Sequence, residues 1–161
     1  MTSEELSRVM ERYGNSVYRM SFYLLQNEQD AQDVLQETLI RYMQKAPHFQ
    51  TCEHEKAWIL KVANNLCKDM LRFRKRNQYV NLDALSEIME APGSLKEEEL
   101  VVKVFSLKEK YKQVIYLHYY ECLSVKEIAA ILGISEEAVK KRLERGRLML
   151  KQILDAERAW C

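Results

Sequence analysis

The 161-residue sequence predicts an all-α fold of two small helical domains joined by a flexible acidic linker. Three observations carry this. Apolar residues recur at three-and-four spacing over long runs, and helix-capping residues punctuate those runs. Between residues 78 and 97 the periodicity fades into a stretch containing Ala91-Pro92-Gly93-Ser94 and several acids. The expected domains are therefore residues 1–77 and 98–161, with 78–97 as the connection. At 47% apolar the chain can bury a core in each.

Thr2 and Glu5 have the spacing of a capping box, and Leu6, Val9, Met10, Tyr13, Val17, Met20 and Leu24 form the apolar stripe of a first helix ending near Leu25. Gln26 and Asn27 interrupt it, and Asn27 can cap a second helix. Ala31, Val34, Leu35, Thr38 and Tyr42 give that helix its stripe, and it must end before Pro47. Its opposite face carries Asp30, Asp33, Gln36, Glu37, Ile40 and Arg41, and a polar face with a bare isoleucine suits docking to a partner as well as ordinary wetting. Pro47 to Glu55 reads as a loop. From Ala57 a third helix follows, with Ile59, Val62, Ala63, Leu66, Met70 and Phe73 on its buried side.

A second stripe of this third helix joins an aromatic, an amide and cations: Trp58, Lys61, Asn65, Lys68 and Arg72, running into Phe73-Arg74-Lys75-Arg76. Cations neutralise phosphates, an aromatic stacks on a base, and an amide can bond a base edge once the base leaves the duplex. Trp58 is the weak member, because a tryptophan at a helix start more often packs in a core.

After the connection, Leu100, Val101, Val104 and Phe105 restore the helical pattern, followed by Tyr111, Val114, Ile115, Leu117 and His118. His118 sits among tyrosines and reads as a packing residue. The stretch from Leu123 to Leu154 then reads as a helix-turn-helix. Ser124 and Glu127 make a capping box, Val125, Ile128, Ala129 and Leu132 share one face, Gly133 can turn left-handed, and Ser135 can cap the second helix. In that helix Val139, Leu143, Gly146, Leu150, Ile153 and Leu154 form the underside. Lys141 and Arg145 lie opposite, with Lys140, Arg147 and Lys151 on one flank. Long cations on the first turns of such a helix reach guanine edges and phosphates.

Net charge is only +1, yet it is segregated. Two basic blocks, around Lys61 to Arg76 and Lys140 to Lys151, flank an acidic one containing Asp83, Glu87, Glu90, Glu97, Glu98 and Glu99. Cys52, Cys67, Cys122 and Cys161 have no zinc-like spacing, so reduced thiols are expected. No Gly-rich phosphate loop, Ser/His/Asp set or catalytic carboxylate pair occurs, so neither an enzyme, a cofactor, a metal nor a small-molecule substrate is expected. No apolar run approaches a membrane span and the N-terminus lacks a signal-peptide core, which leads to a cytoplasmic expectation.

Three motifs, DAQDVLQETLIRYM at 30–43, AWILKVANNLCKDMLRFRKR at 57–76 and LSVKEIAAILGISEEAVKKRLERGRLML at 123–150, make the chain resemble, end to end, the extracytoplasmic-function (ECF) group of sigma-70 RNA polymerase sigma factors. The resemblance implies promoter-specific transcription initiation, with core RNA polymerase and promoter DNA as partners. It places polymerase binding on Asp33, Gln36, Glu37, Ile40 and Arg41. It makes Asn65, Lys68 and Asp69 the pocket for a flipped −10 base, Lys61 and Arg72 its phosphate contacts, and Pro47 to Glu55 the specificity loop. Together with Trp58 these form the expected −10 face. It assigns −35 recognition to Lys140, Lys141, Glu144 and Arg145. The family often has a small polar residue where Ala138 and Lys141 stand, a departure that bears on the −35 sequence read. Many relatives are restrained by a membrane-tethered anti-sigma factor, which implies one as a partner. The competing reading is a stand-alone helix-turn-helix regulator binding duplex operators as a dimer, which leaves the Asn65 face unexplained.

Overall fold

The computed structural model describes residues 2–77, 103–104 and 106–158, and among these every regular element is helical. The chain divides into two compact units, residues 1–84 and 85–161. The connection expected at 78–97, together with Leu100, Val101, Phe105 and Cys161, lies outside the described residues.

The first unit is a three-helix bundle of α1 (Ser3–Leu25), α2 (Glu28–Lys45) and α3 (Cys52–Asn77), each packed on the other two. Helix α1 begins with the expected capping box: Glu5 N–H donates to Thr2 Oγ1 at 3.2 Å and Thr2 N–H to Glu5 Oε2 at 2.9 Å. It stops where Gln26 turns left-handed at φ 54. Asn27 then starts α2 by accepting from Asp30 N–H at 2.9 Å. Val9, Val17, Met20, Leu24, Ala31, Val34, Ile59, Leu60 and Ala63 are buried together. Each large apolar side chain so enclosed contributes about 1.5–3 kcal/mol relative to exposure.

Several sequence expectations change here. Helix α3 starts at Cys52, so the second half of the expected 47–55 loop is helical; Thr51 caps it, its Oγ1 accepting from His54 N–H at 3.2 Å. Met10 and Phe73, placed in apolar stripes, are 44% and 67% exposed. At the level of Phe73 it is Arg74 that faces the bundle, donating to Leu25 O at 2.6 Å and pairing with Asp30. Asp30 thereby leaves the outer face of α2, and Arg74 leaves the cationic tract. Leu60, Asn64 and Cys67 are buried beside the expected stripe because α3 is covered by two helices rather than one.

The second unit contains α4 (Glu109–Ile115), a π-helical turn at Tyr116–Tyr120, α5 (Val125–Leu132) and α6 (Glu136–Arg158). The Ser124–Glu127 capping box forms, Gly133 turns at φ 68, and Ser135 Oγ accepts from Ala138 N–H at 3.1 Å. Both α4 and α5 pack on α6. Gly146 makes that approach possible: a Cβ there would sit 3.1 Å from Ile115 Cγ1. His118 is a packing residue, with Nδ1 3.0 Å from Leu123 O and its ring edge-on to Tyr119. No helix among the described residues is long and apolar enough to cross a membrane, and none of their His, Cys, Asp and Glu side chains group to hold a metal.

Candidate nucleic-acid interface

Helix α6 supplies the simplest surface. Val139 and Leu143 are buried beneath it, which turns Lys140, Lys141, Glu144 and Arg145 outward, all four exposed. Within the described residues neither Lys140 nor Lys141 has an ion pair, so their charge faces water undiminished. Arg145 is partly engaged. Burial raises the pKa of the Tyr111 hydroxyl, but Arg145 and Lys110 beside it outweigh that and hold it below the ordinary value. Arg147, on the flank, donates to the Tyr119 hydroxyl at 2.5 Å and lies over its ring. Four cations on one side of a capped helix-turn-helix can meet phosphates and the major-groove edges of bases.

In the first unit, Lys61, Asn65, Asp69 and Arg72 are exposed along one side of α3, with Lys68 half-buried among them. Arg72 and Asp69 approach at 3.9 Å with about 70% of each side chain exposed, a pairing too weak to withdraw either from a ligand. Trp58 departs from this row. It is half-buried, its ring edge-on to Tyr42 and Phe49 with both centroids 5.9 Å away, so it packs against the loop before α3.

Residues 46–51 form that loop. Pro47, His48, Gln50 and Thr51 are exposed and Phe49 is half-buried against Tyr42. Beneath it lies an arrangement the sequence reading missed. Glu55, 5% exposed, accepts hydrogen bonds from the hydroxyls of Tyr42 (2.6 Å) and Tyr13 (2.8 Å) and from Arg8 (3.2 Å). Burial would raise the Glu55 carboxyl, but these three donors outweigh it and lower its pKa. Burial, reinforced by the carboxylate, pushes both tyrosines up to about 12. The signal was present in the spacing: Glu55 stands four residues ahead of Ile59, on the apolar stripe of α3, where a carboxylate must find donors. Farther along α3, Cys67 is buried, which raises its thiol to about 12.

On α2 the outer face expected from the sequence loses Asp30 to its pairing with Arg74. Asp33 and Gln36 are exposed, and Glu37 and Arg41 pair at 3.0 Å. Ile40 is 41% exposed and Met43 44% exposed, giving the surface an apolar centre.

Both units match known families. Residues 9–77 match sigma-70 region 2 and residues 104–150 match sigma-70 region 4. The chain is 31% identical to the ECF RNA polymerase sigma factor SigW of Bacillus subtilis, over 91% of this chain and 87% of that protein. It is 28% identical to SigM of the same organism, over 92% and 94%. Among solved structures, the sigma factor RpoE of Bartonella quintana, crystallised with the anti-sigma factor NepR, shares the fold at TM-score 0.74 and 20% identity, covering 94% of this chain and 98% of that one. A stand-alone operator-binding regulator would not carry region 2 as well as region 4. The chain belongs to the extracytoplasmic-function group of the sigma-70 family of RNA polymerase sigma factors.

Proposed function

We propose that the three surfaces divide the work of a sigma factor among named residues. As a member of its family the chain binds core RNA polymerase and directs promoter-specific initiation, while nucleotide addition belongs to the polymerase. Asp33, Gln36, Glu37, Ile40 and Arg41 of α2 take the polymerase. Lys61, Asn65, Lys68, Asp69 and Arg72 of α3, with the 46–51 loop, take the separated −10 strand. Lys140, Lys141, Glu144 and Arg145 of α6 read the −35 duplex. The observation that carries this reading is the outward cluster on α6, raised on a buried Val139–Leu143 underside directly after the Gly133 turn.

The physical scheme is bivalent. Two modest DNA contacts share one chain, so once polymerase places the first, the second forms at high effective concentration. Extruding a base costs a few kcal/mol, which a fitted pocket around Asn65 offsets. An anti-sigma factor such as the one bound to RpoE would compete for the same polymerase-docking surface.

The test is separation of function. Lys140→Ala with Arg145→Ala is expected to lower transcription from −35-dependent promoters while core polymerase affinity stays unchanged. Loss of core binding in this variant would refute the assignment.

A further inference from the structure

We propose that Glu55, with Tyr42 and Tyr13, is a positioning cluster that fixes the 46–51 loop, so that selection of the −10 base depends on residues that never touch DNA. This rests on the reading that the loop and α3 take the −10 strand.

The loop is held at both ends and in the middle. Where it leaves α2, Ala46 N–H donates to Tyr42 O at 3.1 Å. At its centre Phe49 stacks on the Tyr42 ring, centroids 6.2 Å apart, and meets Trp58 edge-on. Where it enters α3, the Tyr13 hydroxyl reaches Cys52 O at 3.3 Å and Arg12 reaches Cys52 Sγ at 3.2 Å. Glu55 joins these holds. It binds the hydroxyl of Tyr42, whose ring seats Phe49, and that of Tyr13, whose other contact is the first residue of α3. Three helices thus converge on one carboxylate lying directly beneath the loop.

The side chains left outward are Pro47, His48, Gln50 and Thr51, and the Thr51 hydroxyl is occupied in capping α3. His48 and Gln50 remain to offer both donors and acceptors to a base edge. A contact of that kind discriminates only when its backbone is held to a fraction of an ångström, and a buried, ionised, triply bonded group supplies such rigidity.

The experiment uses the full chain with core polymerase on a promoter set varied at each −10 position. Tyr42→Phe keeps the stacked ring and removes one hydroxyl; Glu55→Gln keeps the volume and removes the charge. Each is expected to reduce the ratio of transcription from the preferred −10 sequence to that from single-base variants by about five-fold or more, the equivalent of one base contact. Core affinity and −35 discrimination should change less than about two-fold, within what a surviving contact set tolerates. In a His48→Ala, Gln50→Ala background, Tyr42→Phe should have no further effect. Equal loss on every −10 sequence, or unchanged ratios, would overturn the positioning role. If the unsubstituted chain itself shows no −10 preference, the assignment of this surface fails first and the positioning claim falls with it.

Discussion

Replacing Glu55 by glutamine should lower the stability of the first unit while leaving it folded at about 25 °C, and the structure sets the scale. The carboxylate is 5% exposed and accepts three hydrogen bonds, from Tyr42, Tyr13 and Arg8. A hydrogen bond to a charged group contributes about 1.5–3 kcal/mol. Glutamine keeps one acceptor oxygen but presents an NH2 to a hydroxyl that needs an acceptor, and it leaves Arg8 without a counter-charge. The Arg8 pair adds little, since that side chain is 48% exposed. The net loss should be about 2–4 kcal/mol, which in a domain of this size lowers Tm by roughly 10–20 °C. The pH dependence follows from the lowered pKa of Glu55. A carboxyl whose folded pKa lies below its unfolded one contributes stability that is complete above the unfolded value, 4.5, and is lost as pH falls through the folded value. Urea denaturation in a Trp160→Phe background, followed by the fluorescence of Trp58 beside Tyr42, measures both effects. Glu55→Gln should be less stable at neutral pH and should lose this contribution to acid sensitivity. Equal stability of the two proteins at pH 7, or an unchanged acid profile, would refute the reasoning.

Other consequences are as direct. Lys140→Ala with Lys141→Ala removes two exposed cations that have no ion pair among the described residues, so the slope of log affinity against log salt for polymerase-bound promoter should fall by about 1.8, read from a salt titration. Asp33→Ala with Glu37→Ala should weaken core polymerase binding about ten-fold, the cost of one or two interface anchors, with the helical circular dichroism retained; an unchanged dissociation constant would count against the α2 surface. Gly133→Ala meets no neighbour but forces a side chain to φ +68, and should destabilise the second unit by about 1 kcal/mol in thermal melting.

Much of this was legible because the chain marks its helices with local chemistry. Thr2–Glu5 and Ser124–Glu127 form the capping boxes their spacing announces, and Gly133 and Ser135 bracket the turn as their residue types require. The outward residues of α6 follow from the same periodicity. What was hidden depends on packing that periodicity does not encode, in one case with a partner distant in sequence. Arg74 is 49 residues from the Leu25 carbonyl it binds, and no local pattern separates it from its cationic neighbours. Glu55 looked like loop because Thr51, rather than a residue near Ala57, starts α3. At the π-helical turn Tyr116–Tyr120, Tyr116 stacks on Tyr120 and its hydroxyl donates to the buried Glu121 at 3.0 Å. Lys112 on α4 is 4% exposed, and burial draws its ammonium down to about 8 against the opposing pull of Glu109.

Transcription by purified bacterial core RNA polymerase from a randomised promoter library, with and without this chain, tests the central claim most directly. Added chain should create new start sites that share a −35 and a −10 sequence, with the −35 preference altered by substitutions on α6 and the −10 preference by substitutions in the 46–51 loop. An unchanged set of start sites in the presence of folded protein would contradict the account.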